Sequence, residues 1–224
     1  MLKSVLRRGA LPLLAGAGLL LAGCGHEEAR RLPILGERDV RENPQGGPAD
    51  TVFATVPAFR AHDQNGKLLT NQRLAGQIYI TDFFFATCPG ICPKMNGELL
   101  KIYKQYGQTP GLNFVSFTID PDHDTTAVLR DYAQRLGAPA AANWRFVRTS
   151  KDSVFTLAHG LFTAAMPDKA APGGFAHNGT FALVDGQGRV RGLYDSLDPK
   201  EVARLQAELP LLLAEIKPPA GGPK

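Results

Sequence analysis

"QIYITDFFFATCPGICPKMNGELLKIYKQYG", residues 77–107, decides the fold. Its first nine residues are β-branched and aromatic over the length of one strand, and they read as a strand buried on both faces. The period then changes. Met95, Leu99, Ile102 and Tyr106 recur at the spacing of a helix side, and Gly107 stops the pattern. Two cysteines, Cys88 and Cys92, each followed by proline, sit at the junction. Side chains placed between a strand and its following helix lie at the carboxyl end of the strand, where open α/β sheets hold ligands. The helix N-terminus favours thiolate there through its unpaired N–H groups and dipole. Were the segment helical, four residues would advance about 400° and about 6 Å and bring both sulfurs to one face.

Outward from this stretch the signals alternate. "LNFVSFTID" is a second strand-length apolar run. Asp124 is positioned to cap "TTAVLRDYAQRLG", with Val128, Leu129, Tyr132 and Leu136 inward and Gly137 at its end. "WRFV" reads as a strand, and Thr149 and Asp152 suggest a capping box for "SVFTLAHGLF". "TFALVDGQGRVRGLYD" reads as strand, turn, strand, and "DPKEVARLQAELPLLLAEI" as a closing helix. Upstream, Asp63-Gln64-Asn65-Gly66 breaks "PAFRAHDQNGKLLT" into an N-terminal hairpin. Helical crossovers imply parallel strands, and the antiparallel pair at the end makes the sheet mixed. The expected fold is therefore α/β and thioredoxin-like, a mixed central sheet flanked by helices, which by itself fixes no chemistry.

Residues 1–23 carry Lys3, Arg7 and Arg8 and then "LPLLAGAGLLLAG", the charged and apolar regions of an export signal, short for a membrane span, with an uncleaved N-terminal anchor as the alternative. The run ends Leu21-Ala22-Gly23-Cys24, which resembles a bacterial lipobox and makes Cys24 the expected lipidation site. Removing three positive charges takes the formal net charge of +4 to +1. A nearly neutral chain carries no electrostatic footprint for nucleic acid. The expected organisation is a lipoprotein signal peptide (1–23), a flexible membrane tether (24–50), one domain (51–217) and a loose Pro/Gly-rich tail (218–224). The domain would lie outside the cytoplasm, lipid-anchored on the periplasmic side of a bacterial membrane.

With Cys24 committed, Cys88 and Cys92 are the domain's only thiols. Thioredoxin-type redox motifs use C-x-x-C, so the wider C-x-x-x-C weakens a simple oxidoreductase reading. A structural zinc site wants four protein ligands and no further cysteine remains. Soft thiolates with one nitrogen suit copper. Of five histidines, His26, His62, His123 and His159 have ordinary explanations in a stalk, a turn, an acidic turn and a helix end. His177 closes the loop "PDKAAPGGFA" just before "TFALVD"; the residues alone leave it either facing the cysteines or exposed on a loop. Met95, Trp144 and Phe83 to Phe85 read as core, and Asp120 as a turn former.

"TDFFFATCPGICPKM", "TIDPDHDTTAVLRDYAQRLG" and "FAHNGTFALVDGQGRV" together resemble successive motifs of the Sco (SenC/PrrC) family, from about Pro57 to Tyr194. The resemblance implies a thioredoxin-like, membrane-tethered copper protein with Cys88, Cys92 and His177 as ligands of Cu(I), Cu(II) or both, and a redox-active Cys88/Cys92 pair. It implies a monomeric metallochaperone rather than a turnover enzyme. Its partner would be the copper-site subunit of cytochrome c oxidase or another copper chaperone. The alternative is a thiol-disulfide reductase that keeps an acceptor's cysteines reduced. Two departures stand out: Thr126 replaces the proline common in the family, and Ala176 replaces the acidic residue that commonly precedes the histidine. The second predicts that the His177 ring lacks its usual orienting partner or takes it from elsewhere.

Overall fold

The computed structural model describes residues 31–138 and 143–215. The signal peptide, Cys24 and the tail from 218 lie outside the described residues. In chain order, β1 (Arg38–Arg41) and β2 (Asp50–Phe53) form an antiparallel ribbon, and β3 (Arg60–Asp63) and β4 (Leu68–Thr70) form the expected hairpin. Then come α1 (Asn71–Leu74), β5 (Ile78–Phe84), α2 (Cys92–Tyr106), β6 (Leu112–Thr118), α3 (Thr126–Leu136), β7 (Trp144–Arg148) and α4 (Lys151–Gly160). A ribbon of β8 (Ala165–Pro167) and β9 (Phe175–His177) precedes β10 (Thr180–Val184), β11 (Val190–Asp195) and α5 (Pro199–Glu215).

Seven strands make one mixed sheet in the order β11-β10-β5-β6-β7-β3-β4. The two apolar runs became its centre: every residue of β5 and β6 is buried, and the strands pair in parallel from Ile78 beside Leu112 to Phe84 beside Thr118. Burial on both faces explains why these runs do not alternate, because helices cover the sheet above and below. The helix side chosen by the sequence pattern is the buried one, with Met95, Leu99 and Ile102 fully enclosed. Trp144 and Phe83 to Phe85 are likewise in the core.

Three local expectations are corrected. Asp124 does not cap α3; Thr125 does, its hydroxyl accepting from Val128 N at 3.3 Å, while Asp124 turns fully inward. Ser150 caps α4 by accepting from Ser153 N, and Thr149 instead donates to the Arg60 carbonyl at 2.9 Å. Part of the stretch read as a flexible tether is ordered against the domain. Leu32 is buried, Leu35 N donates to Val190 O, and β1 takes up residues 38–41. The cause is Arg191, a buried cation on β11 that donates to the carbonyls of Leu32 and Pro33 and is neutralised by Asp185 and Glu215. A polar, Pro-broken sequence gives no hint that its backbone will be the hydrogen-bond acceptor for a buried guanidinium.

Candidate metal centre

β5 ends at Phe84 and the chain passes through a turn before α2 begins at Cys92. Cys92 is therefore the first helical residue and is buried, whereas Cys88 lies in the loop and is half-buried. The condition for stacking both cysteines on one helix face is not met. The loop nonetheless folds Cys88 back over the helix start, so that backbone N–H groups of Cys92 and Gly90 reach its sulfur.

His177 reaches the pair from the opposite side. It is the last residue of β9, held opposite Ala165 of β8, and its Nε2 stands 3.3 Å from Cys92 Sγ and 3.8 Å from Cys88 Sγ. The ring is wedged edge-on against Phe85, with centroids 5.7 Å apart, and Phe85 also packs on Phe175. Gly173 lets the ribbon close this tightly. Its φ of +82° suits glycine, and a Cβ there would stand 2.6 Å from the Phe85 ring. The open alternative for His177 is thus resolved: it faces the cysteines. Its Nδ1 is buried without a hydrogen-bond partner, the consequence expected from Ala176. The other described histidines do not join; His123 Nδ1 is engaged 2.8 Å from Asp124 Oδ1.

The two thiols are electrostatically unequal. Donation from the Cys92 thiol, with help from His177 and the two backbone amides, draws Cys88 down to about 4 against the opposing effect of burial. Cys92 is pushed up, because its proton is the one the Cys88 sulfur holds and because it is the more buried. The pair therefore loses one proton readily and keeps the second. A bound cation would displace that second proton, since the metal ligand is the thiolate.

Two carboxylates near the site were not assigned to it from the sequence, which offered Asp124 only as a helix cap. Asp124 is fully buried, and its Oδ2 accepts from Ala86 N at 3.0 Å and from Thr118 Oγ1 at 2.5 Å. It thereby clamps the strand-to-helix loop two residues before Cys88. Asp82 lies inside β5, where Oδ1 accepts from Ser116 Oγ at 2.5 Å and Ser116 in turn accepts from Trp144 Nε1. Burial pushes the Asp82 carboxyl up to about 7, against the pull of Ser116 and His177. A carboxylate in the otherwise apolar run "IYITDFFF" was the signal available for it.

The donor atoms of Cys88, Cys92 and His177 all lie within 4.8 Å of one another, the one such group among the described residues. Thiolate and imidazole bonds of roughly 2.0–2.3 Å, as found at zinc, would set donors around one ion about 3.5–4 Å apart. The observed S···N separations therefore suit a single ion in a three-donor site. The SCO1/SenC family model matches residues 48–209. The chain belongs to this family. Among its relatives, the SCO1 protein homolog of Bacillus subtilis is 26% identical over 151 residues, covering 66% of this chain and 78% of that one. Two solved structures share the fold. BsSco, described as a member of the Sco family of cytochrome c oxidase assembly proteins with a disulfide switch, is 22% identical with a TM-score of 0.62 over 72% of this chain and 94% of that one. Arabidopsis thaliana ScoI with copper bound is 19% identical with a TM-score of 0.58 over 70% and 96%. The SCO1/SenC match spans the Cys loop, the Asp124 clamp and the His177 ribbon together, so all three motifs lie within the family's domain.

Proposed function

We propose that this member of the SCO1/SenC family is a copper carrier that holds one ion between Cys88, Cys92 and His177 and surrenders it to a protein acceptor. The observation that carries the reading is the convergence of two thiols and an imidazole from separate elements within 4.8 Å. Soft thiolates with a nitrogen favour copper over harder cations, and Cu(I) accepts two or three ligands. A half-exposed Cys88 beside a buried Cys92 leaves one side of the ion open, so an incoming thiolate or imidazole enters before a resident ligand leaves. A copper-bound Sco relative supports the metal. The description of BsSco as one of the cytochrome c oxidase assembly proteins supports that oxidase as the setting of the destination; its copper-site subunit, or another copper chaperone, is the acceptor we propose. The lipobox-like ending at Cys24 supports work at the outer face of a membrane; no helix among the described residues is long and apolar enough to cross one.

Anaerobic titration of the reduced and the oxidised protein with Cu(I) and Cu(II) tests this reading. We expect one copper per chain in the reduced form and none at comparable affinity in the oxidised form; equal affinities would remove the metal site. A second reading, thiol-disulfide exchange on the acceptor's cysteines, has its own observation. Cys88 is low in pKa and reachable while Cys92 is buried behind it, the asymmetry of an attacking and a resolving thiol.

A further inference from the structure

Beside the cysteines an open groove of about 640 Å³ runs along α2, bounded by Gly90, Ile91, Lys94 and Gly97 on one wall and Ser196 and Leu197 on the other. Nothing described so far uses it. Gly97 lies inside α2, where glycine costs about 1 kcal/mol relative to alanine. Beyond its chain neighbours and the backbone of its own helix, no atom lies within 4 Å of where its Cβ would stand, so packing against other elements does not demand the glycine. The same open space surrounds Gly90, between the two cysteines. Across the groove Leu197 is 42% exposed. Lys94 is exposed at the rim and forms no ion pair among the described residues, whereas Lys101 is matched by Glu98.

We infer that this groove is where the copper acceptor docks, receiving an extended acceptor segment that carries an apolar side chain and an acidic residue next to its metal-binding cysteine. The apolar residue sits over Gly97 against Leu197 and Ile91, and the carboxylate faces Lys94. Continuity with the site argues for the acceptor as occupant, because Gly90 and Ile91 are the residues linking the two cysteines. This inference rests on the carrier reading and names the partner's recognition chemistry.

The test uses the protein with its Cys88–Cys92 disulfide formed and measures reaction with single-cysteine peptides. The peptide thiolate attacks Cys88, the Cys88–Cys92 bond breaks, and Cys92 leaves and takes up a proton, giving a mixed disulfide with no outside oxidant or reductant. One capped peptide carries leucine and glutamates beside its cysteine, its twin carries lysines instead, and mercaptoethanol serves as a thiol with no anchor. The glutamate peptide should react about two- to fivefold faster than its twin, the span of an exposed ion pair. Lys94→Glu should invert that ratio. Gly97→Leu, which fills the groove, should slow both peptides about tenfold and leave mercaptoethanol unchanged, a loss worth about 1.4 kcal/mol. Gly97→Ala, with room for its methyl, should raise helix stability and confirm that the position tolerates a side chain. Rates indifferent to peptide charge and to Gly97→Leu would overturn the inference. So would a concentration-dependent dimer of this chain that Gly97→Leu abolishes, since the groove would then belong to a second copy. Copper stoichiometry of the unmutated protein is measured in parallel, so failure of the metal reading registers separately from failure of the groove.

Discussion

Replacing Asp124 separates a loop clamp from an ordinary helix cap. A cap residue costs about 1 kcal/mol when changed to alanine. In the structure the fully buried carboxylate accepts two bonds, from Ala86 N of the partly buried loop and from the buried Thr118 Oγ1, and hydrogen bonds to a charged group contribute about 1.5–3 kcal/mol each. The third contact is to the half-exposed His123 and is given no weight. Asp124→Ala should therefore cost about 3–6 kcal/mol. With a urea slope of about 2 kcal/mol/M, the unfolding midpoint should fall by roughly 1.5–3 M. Trp144 is the chain's only tryptophan, fully buried and stacked on Phe146 with centroids 5.2 Å apart, so its fluorescence reports the transition. Thr125→Ala, at the true cap, should move the midpoint by about 0.5 M, the 1 kcal/mol of a lost cap at that slope. Asp124→Asn keeps the shape but sets an amide N–H against the Ala86 N–H if it points inward, so it should fall between the two. If Asp124→Ala cost no more than Thr125→Ala, the clamp would be wrong and the cap reading restored.

His177→Ala should leave the unfolding midpoint nearly unchanged but weaken Cu(II) binding and alter its spectrum more than Cu(I) binding. Two thiolates alone satisfy Cu(I), while Cu(II) prefers more ligands and imidazole nitrogen; His123→Ala and His159→Ala should match the unmutated protein. Mild oxidation should remove two hydrogens from the chain without forming dimers, because both sulfurs already belong to one cluster; predominant dimers in mass analysis would contradict that placement. Iodoacetamide should alkylate Cys88 at a rate flat from about pH 8 to pH 6 and halved only near pH 4, because the thiolate is the nucleophile and its pKa is depressed to about 4. A rate falling tenfold per unit below pH 8 would show an ordinary thiol. Arg191→Ala should leave Glu215 and the Leu32 and Pro33 carbonyls without their partner while Asp185 keeps Arg189, cost about 1–3 kcal/mol, and open the Leu32–Leu35 backbone to protease before the rest of the domain.

What the sequence reveals here depends on the range of the interaction. The strand, loop and helix around Cys88 and Cys92 were readable because each rests on local periodicity, and double burial shows as an uninterrupted apolar run. The meeting of His177 with cysteines more than eighty residues away has no local signal; only the family motif anticipated it, and no pattern announced the β8–β9 ribbon that delivers the ring. Asp124 was misread because an Asp ahead of a helix looks like a cap in any local window, whereas its bonds run to Ala86 in the loop after β5 and to Thr118 at the end of β6. The ordered residues 32–35 escaped for the same reason. Their partner, Arg191, is some 160 positions downstream, and hydrogen bonds to backbone carbonyls leave no trace in side-chain composition.

If the chain is held at a membrane through Cys24 as proposed, the Arg191 latch would also limit how far the domain can travel. With Cys24 lipidated as proposed, only eight residues separate the membrane surface from Leu32, and fully extended they span at most about 26–29 Å. The leash is thus shorter than the roughly 40 Å breadth of a compact domain of this length, and it leaves from the β11 edge rather than from a free end. A long stalk would let the copper site explore a deep hemisphere; this one confines it to a thin layer just above the lipid and restricts which way it can face. An acceptor would have to present its own site within that layer, so encounters between the two become a search over a plane rather than through a volume. Cutting the latch by Arg191→Ala would release Leu32 and Pro33 and lengthen the leash, relaxing that geometric filter without touching a copper ligand.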